Sequence, residues 1–155
     1  NLSVEKVGNK VVAHNYGHGG SGSTLGPGSA RYVNALMLSS ESANSLSNKS
    51  TPIAIIGAGV IGLFTAYDLS KRGYTNITIY AERTESLTSH NAGGLLAPVS
   101  MDNAPSMQAT IDQIGIDAYR FYDGIAKNKN SDFKGGALVV PTYFNNRDFK
   151  KSAVA

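Results

Sequence analysis

The stretch Pro52-Ile53-Ala54-Ile55-Ile56-Gly57-Ala58-Gly59-Val60-Ile61-Gly62 decides how the chain is read. A short apolar run meets a G-x-G-x-x-G turn that opens directly into a helical pattern, and each glycine has its own task. Gly57 permits the tight turn, Gly59 lets bare backbone approach a pyrophosphate, and Gly62 lets the helix lie close on its strand. Ala58, Val60 and Ile61 complete the turn. The free N–H groups at the helix start, and the positive end of its dipole, then point at phosphate. The stretch predicts a dinucleotide site.

Working outward, Ile53–Ile56 is continuously apolar, as expected of a parallel strand buried on both faces. Val60–Arg72 has helical periodicity, with Ile61, Phe64, Thr65, Ala66 and Leu69 inward and Asp68, Lys71 and Arg72 outward; Gly73 is placed to end it. Ile77-Thr78-Ile79-Tyr80 reads as a second strand, which makes a βαβ unit of about thirty residues. Glu82 follows twenty residues after Gly62. A carboxylate there accepts hydrogen bonds from ribose hydroxyls and disfavours a 2′-phosphate. The plainer alternative is a surface glutamate. Arg83 either meets a phosphate or is solvated.

Next comes Thr88-Ser89-His90-Asn91-Ala92-Gly93-Gly94-Leu95-Leu96-Ala97-Pro98, where hydroxyls followed by small residues suit a loop laid against a ligand. His90 reads as a polar loop residue, since no Asp, Glu or His neighbours give it metal-ligand spacing. Met107–Ala126 is an amphipathic helix with Ile111, Ile114, Ala118, Phe121, Tyr122 and Ile125 on one face, its aromatics expected in the core. Asn128–Asp132 is a polar turn, Gly136–Phe144 reads as a strand, and Arg147–Lys151 is a basic tail.

Before the central stretch, residues 2–13 read as a hairpin turning at Gly8-Asn9. His14-Asn15-Tyr16-Gly17-His18-Gly19-Gly20-Ser21-Gly22-Ser23-Thr24 carries four glycines in eleven residues. It is either a flexible surface loop or a loop whose bare backbone must approach a flat or anionic ligand. Gly28–Leu38 predicts a helix with Ser29 as N-cap. Residues 39–51 are rich in serine and asparagine and read as a flexible linker.

The totals exclude several classes. With 155 residues the chain is long enough for one ordinary core. A net charge of +3 and 16% charged residues, without a Lys/Arg cluster interleaved with aromatics, argue against a nucleic-acid partner. The absence of cysteine rules out disulfides and thiolate chemistry in this sequence. No run approaches the length of a membrane span or has the form of a signal peptide. Compartment stays open. Asn1 stands where an initiating methionine would, so the natural start is expected upstream or removed.

Three segments together resemble the FAD-dependent D-amino-acid oxidase family, the wider group that includes glycine oxidase and related amine-oxidising flavoenzymes. Ile53–Gly62 is similar to its first strand and phosphate turn. Ile79–Arg83, with Thr88, Ser89 and Ala92-Gly93-Gly94-Leu95 up to Pro98, resembles its ribose and flavin-ring segments, with one residue fewer in the loop. His14–Thr24 resembles its second flavin-contacting loop, a motif far more specific than G-x-G-x-x-G. The resemblance covers roughly residues 10–38 and 52–100.

In that family the His14–Thr24 type of loop lies near the C-terminus; here it comes first. Circular permutation across a bridge such as residues 39–51 would account for this, as would the joining of two pieces of a longer chain. The family's substrate-carboxylate arginine and its tyrosine partner have no match here, and nothing places Arg31 or Tyr143 in those roles.

The resemblance implies an α/β fold: a Rossmann-like FAD-binding domain with a parallel sheet and βαβ unit, followed by the start of a mixed or antiparallel substrate domain. Residues 1–38 would be the flavin-contacting segment, 39–51 the linker, 52–135 the FAD-binding domain and 136–155 the start of the substrate domain. FAD would contact Gly57, Ala58, Gly59, Val60, Ile61, Gly62, Glu82, Arg83, Thr88, Ser89, Ala92, Gly93, Gly94, Leu95, Gly19, Gly20, Gly22, Ser23 and Thr24. The implied reaction is oxidation of a small amine or amino acid by hydride transfer to flavin, with no metal and no catalytic acid or base assigned. The alternatives are an NAD-binding dehydrogenase domain, which leaves His14–Thr24 without a role, and a flavin-binding module without turnover.

Overall fold

The computed structural model of the chain describes residues 1–40, 46–92, 96 and 104–140. Its elements are β1 (Leu2–Val7), β2 (Lys10–Asn15), α1 (Gly22–Ser39), β3 (Ile53–Ile56), α2 (Val60–Lys71), β4 (Ile77–Tyr80) and α3 (Gln108–Ala126), with 3-10 turns at Thr88–Asn91 and Pro105–Met107. This is a mixed α/β arrangement in which an antiparallel hairpin and a small parallel sheet pack around α1 and α2.

Helix α1 is central because three of its first seven residues are glycines, Gly22, Gly26 and Gly28. Gly26, Pro27, Gly28, Ser29 and Ala30 are all buried. Gly26 and Gly28 lie two residues apart, hence on opposite flanks of a helix with about 3.6 residues per turn. A Cβ on Gly26 would come within 2.9 Å of the Phe64 ring of α2, and one on Gly28 within 1.9 Å of the Ile114 carbonyl oxygen of α3. The missing side chains let α2 and α3 press on α1 from both sides. Further along, Val33, Asn34 and Met37 are buried at helical spacing. The helix begins six residues before the Gly28 start expected from its apolar pattern, and Ser29 lies inside it, donating to the Gly26 carbonyl. A run of glycines hid the first turn from a periodicity reading.

The hairpin forms as expected, with Val7 paired to Lys10 across Gly8-Asn9. Val4, Val11 and Ala13 pack on a core of Met37, Leu46, Ile55, Leu69 and Tyr74. β3 and β4 pair in parallel from Ile53↔Ile77 to Ile56↔Tyr80, with α2 as the crossover. The expectation that β3 is buried on both faces is corrected. Ile53, Ile55 and Ile77 face the core, whereas Ala54, Ile56, Thr78 and Tyr80 are exposed, Ile56 at 83%. Among the described residues, the elements packed against these strands cover one face.

Residues 46–51, in the stretch expected to be a flexible linker, are docked. Tyr74 Oη donates to the Leu46 carbonyl (2.7 Å), Thr75 N–H to the Lys49 carbonyl (3.0 Å), and Lys49 Nζ stands 4.0 Å over the Tyr74 ring. Asp68, expected to face outward, instead accepts hydrogen bonds from Asn34 (2.9 Å) and Arg72 (2.6 Å) between α1 and α2. α3 matches its predicted span closely, and Phe121 and Tyr122 join Phe64, Tyr67 and Phe133 in an edge-to-face cluster. Of the expected strand 136–144, residues 136–140 adopt no strand, and 141–144 lie outside the described residues.

Gly28→Ala is expected to destabilise the fold by about 2 kcal/mol or more, because the methyl must displace the α3 backbone rather than a flexible side chain. Urea denaturation measures this; a loss under about 0.5 kcal/mol would show that α3 can withdraw freely.

Candidate functional site

α1 and α2 begin side by side. A Cβ on Gly22 would lie 3.7 Å from Val60 Cγ1 and 3.8 Å from Ile61 Cδ1, so the start of the displaced loop's helix meets the start of the helix after the glycine turn. The N-cap residues are Ser21 and Gly59; their carbonyls accept from Leu25 (2.9 Å) and Leu63 (3.0 Å). Neither caps its helix through a side chain, and neither first turn contains an acid. The leading N–H groups lack intrahelical acceptors, and no carboxylate within either first turn offsets the two positive dipole ends. Together they can receive an anionic group.

Within the turn, the three glycines differ in what the fold asks of them. Gly57 has φ +104° and donates its N–H to the Tyr80 carbonyl (2.8 Å), tying the turn to β4. A Cβ on Gly62 would stand 2.0 Å from the Gly57 carbonyl oxygen, a clash with backbone. Gly59 has φ −73° and ψ 176°, open to any residue, and a Cβ there would meet nothing closer than Ser89 Oγ at 3.9 Å. Folding needs glycine at 57 and 62. At 59 it leaves space.

Ser89, with Thr88, sits in the 3-10 turn beside that space. Ala58, Val60 and Ile61 are half-buried around it. Gly19 and Gly20 have φ of +55° and +89° and form the exposed loop before α1, while Gly22, Ser23 and Thr24 make its first turn. Glu82 and Arg83 follow β4, are exposed, and make no hydrogen bond or ion pair among the described residues. Ala92 is exposed; Gly93, Gly94 and Leu95 lie outside the described residues.

The three histidines divide. His14 is not in the loop but on β2, where its Nε2 lies 2.8 Å from Glu5 Oε1 across the hairpin. His90 is exposed in its 3-10 turn. His18 precedes the α1 cap and has a buried Nε2 with no partner among the described residues. Among those residues no cluster of His, Asp and Glu could hold a metal.

Tyr122 is the functional candidate that periodicity misses. The helical pattern places it only among core aromatics, yet its hydroxyl donates to the Ser23 carbonyl in the first turn of α1 (2.5 Å). The sequence signal for it is Pro27, four residues after Ser23. A surface cavity of about 320 Å³ lies at the opposite end of α2, where Tyr67, Lys71, Phe121 and Asp132 meet. There the Lys71 ammonium and the Tyr67 hydroxyl hold the Asp132 carboxyl below its usual range. That cavity shares no residue with the helix starts.

The family described as FAD dependent oxidoreductase (DAO) matches residues 52–153. A protein of Maricaulis maris (strain MCS10), the tRNA 5-methylaminomethyl-2-thiouridine biosynthesis bifunctional protein, is 35% identical over 81 residues. That similarity takes in 52% of this chain and only 14% of the relative. No solved structure matches.

Burial pushes the His18 imidazole below its ordinary 6.5. The unfolded chain then takes up the proton more readily, so stability is intact above 6.5 and falls as pH drops from there through the folded value. His18→Gln is expected to flatten the fall of Tm with pH below 6.5. Thermal melts across that range check it, and an undiminished slope would place the titrating group elsewhere.

Proposed function

The chain belongs to the FAD dependent oxidoreductase family, and from that premise we propose that the paired starts of α1 and α2 hold FAD for oxidation of a small amine or amino acid. The β3–α2–β4 unit acts as the opening of a Rossmann-like domain spanning residues 52–135. Segment 1–38 supplies the second wall of the cofactor site, 39–51 bridges the two, and 136–155 begins a substrate domain.

The observation that carries this is Gly59. The fold would accept a Cβ at that position, and its absence leaves space between the start of α2 and Ser89. A pyrophosphate fits the donors there: N–H groups at the α2 start, no acid in its first turn, and the Ser89 hydroxyl alongside, with Thr88 in the same 3-10 turn. Glu82, at the end of β4, accepts from ribose hydroxyls, and Arg83 stands next to it. The N–H groups of Gly22, Ser23 and Thr24, with Gly19 and Gly20 before them, face the flavin and stabilise negative charge on it. Gly93, Gly94 and Leu95 complete the flavin segment in this reading.

When bound, FAD supplies the acceptor for a hydride leaving the carbon next to the amine nitrogen. The chain's own residues bind and orient; no side chain is assigned as acid or base. An amine as substrate class is supported by the Maricaulis relative, whose name refers to a methylaminomethyl group, a secondary amine.

The purified chain is expected to carry flavin absorption bands. Gly59→Val should abolish FAD retention while changing stability by less than about 1 kcal/mol, since the fold leaves a Cβ there in ordinary contact only and φ −73° suits any residue. Absorbance and thermal melts read the two effects separately. Binding of NAD without flavin would overturn the proposal. With FAD bound, turnover of D-amino acids, glycine or N-methyl amines is the expected result, and inactivity across that panel would mark a binding module.

A further inference from the structure

Pro27 is the sixth residue of α1 and has no N–H, so the carbonyl four residues earlier, that of Ser23, loses its helical donor. The proline ring also pushes that carbonyl away from the helix axis. The Tyr122 hydroxyl of α3 donates to this same oxygen, 2.5 Å away. Edge-to-face contacts hold the Tyr122 ring, at 6.3 Å and 89° to Phe64 and 5.5 Å and 81° to Phe121. Burial pushes its phenol up to about 12, so it stays a donor at neutral pH. The approach of α3 to Gly28, one residue beyond the proline, brings the two helices close enough for the bond.

We propose that Tyr122 is a positioning residue for the cofactor site: from α3 it supplies the hydrogen bond that Pro27 denies Ser23, and so fixes the first turn of α1 toward FAD. The ligand rests on the reading of the preceding section; the bond itself does not. Without the hydroxyl, a partly buried carbonyl loses the donor that stands in for the missing N–H of Pro27, in the turn whose N–H groups of Gly22, Ser23 and Thr24 must hold their aim. The rest of the Tyr122 ring contributes packing, which phenylalanine preserves. A backbone donor at position 27 would replace the hydroxyl, and this separates positioning from packing.

The test compares the unaltered chain with Tyr122→Phe, Pro27→Ala and the double variant, by FAD titration and by amide hydrogen exchange over residues 22–27 of the FAD-free chain. Tyr122→Phe is expected to weaken FAD binding about tenfold and to speed exchange in the first turn of α1. Pro27→Ala should bind FAD as the unaltered chain does. The double variant should return to within about twofold of it, because the backbone N–H restored at position 27 reaches the Ser23 carbonyl. Unchanged FAD affinity in a folded Tyr122→Phe chain, or a double variant no better than the single, overturns the positioning role. If Tyr122→Phe fails to fold, refolding in the double variant supports the compensation and continued failure overturns it. If the unaltered chain binds no FAD, the cofactor reading falls, and the exchange rates of the four chains still decide whether Tyr122 substitutes for the donor missing at Pro27.

Discussion

The close approach of α3 to α1 at Gly28, where a single methyl would reach 1.9 Å from the Ile114 carbonyl, constrains most of what surrounds it. Backbone contact of this kind fixes both the separation of two helices and their register. With Gly26 doing the same toward Phe64 on the other flank, α1 is held at its N-terminal half from two sides. The order of its first turn is then set by neighbours rather than by helix propensity, which glycine and proline oppose. Polar contacts extend the grip along α2, since Asn34 donates to the Thr65 carbonyl and to Asp68, and Asn15 donates to Thr65 Oγ1.

This packing draws segments far apart in the chain into one core. Residues from α1, from the connection after it and from the β3–α2–β4 unit share one core of Met37, Leu46, Ile55, Leu69 and Tyr74. Residues 46–51 of the connection are docked through Leu46 and Lys49 beside β3 and β4. Two helix starts end up adjacent although more than thirty residues separate them in sequence. Two free helix ends of the same sign repel each other weakly, and their apposition with no acid in either first turn is the electrostatic feature that a bound anion would relieve.

Much of the fold was legible because the relevant signals are local. The hairpin followed from Gly8-Asn9 between β-branched residues, α2 from its periodicity and terminal Gly73, and α3 from a long apolar face. What failed depended on partners. The apolar run Ile53–Ile56 is the same whether one face or two are covered, and Ile56 proves exposed. The serine-rich connection hides one buried leucine and several backbone acceptors, because docking through main-chain groups leaves little mark on composition. Asp68 looked like a solvated charge, and only the position of Asn34 on another helix makes it a junction.

By itself, the sequence determined the glycine turn, the βαβ order and the identity of the residues around Gly57–Gly62, since a turn needing φ near +104° and a helix start lying on its own strand are local demands. It also carried both glycine-rich segments. Only the tertiary structure brought the start of α1 against Val60 and Ile61, separated the fold's need for Gly57 and Gly62 from the open space at Gly59, and placed Tyr122 on the carbonyl that Pro27 leaves without a donor. Those are distances between segments far apart in the chain, and helix packing sets them where no local rule of spacing can.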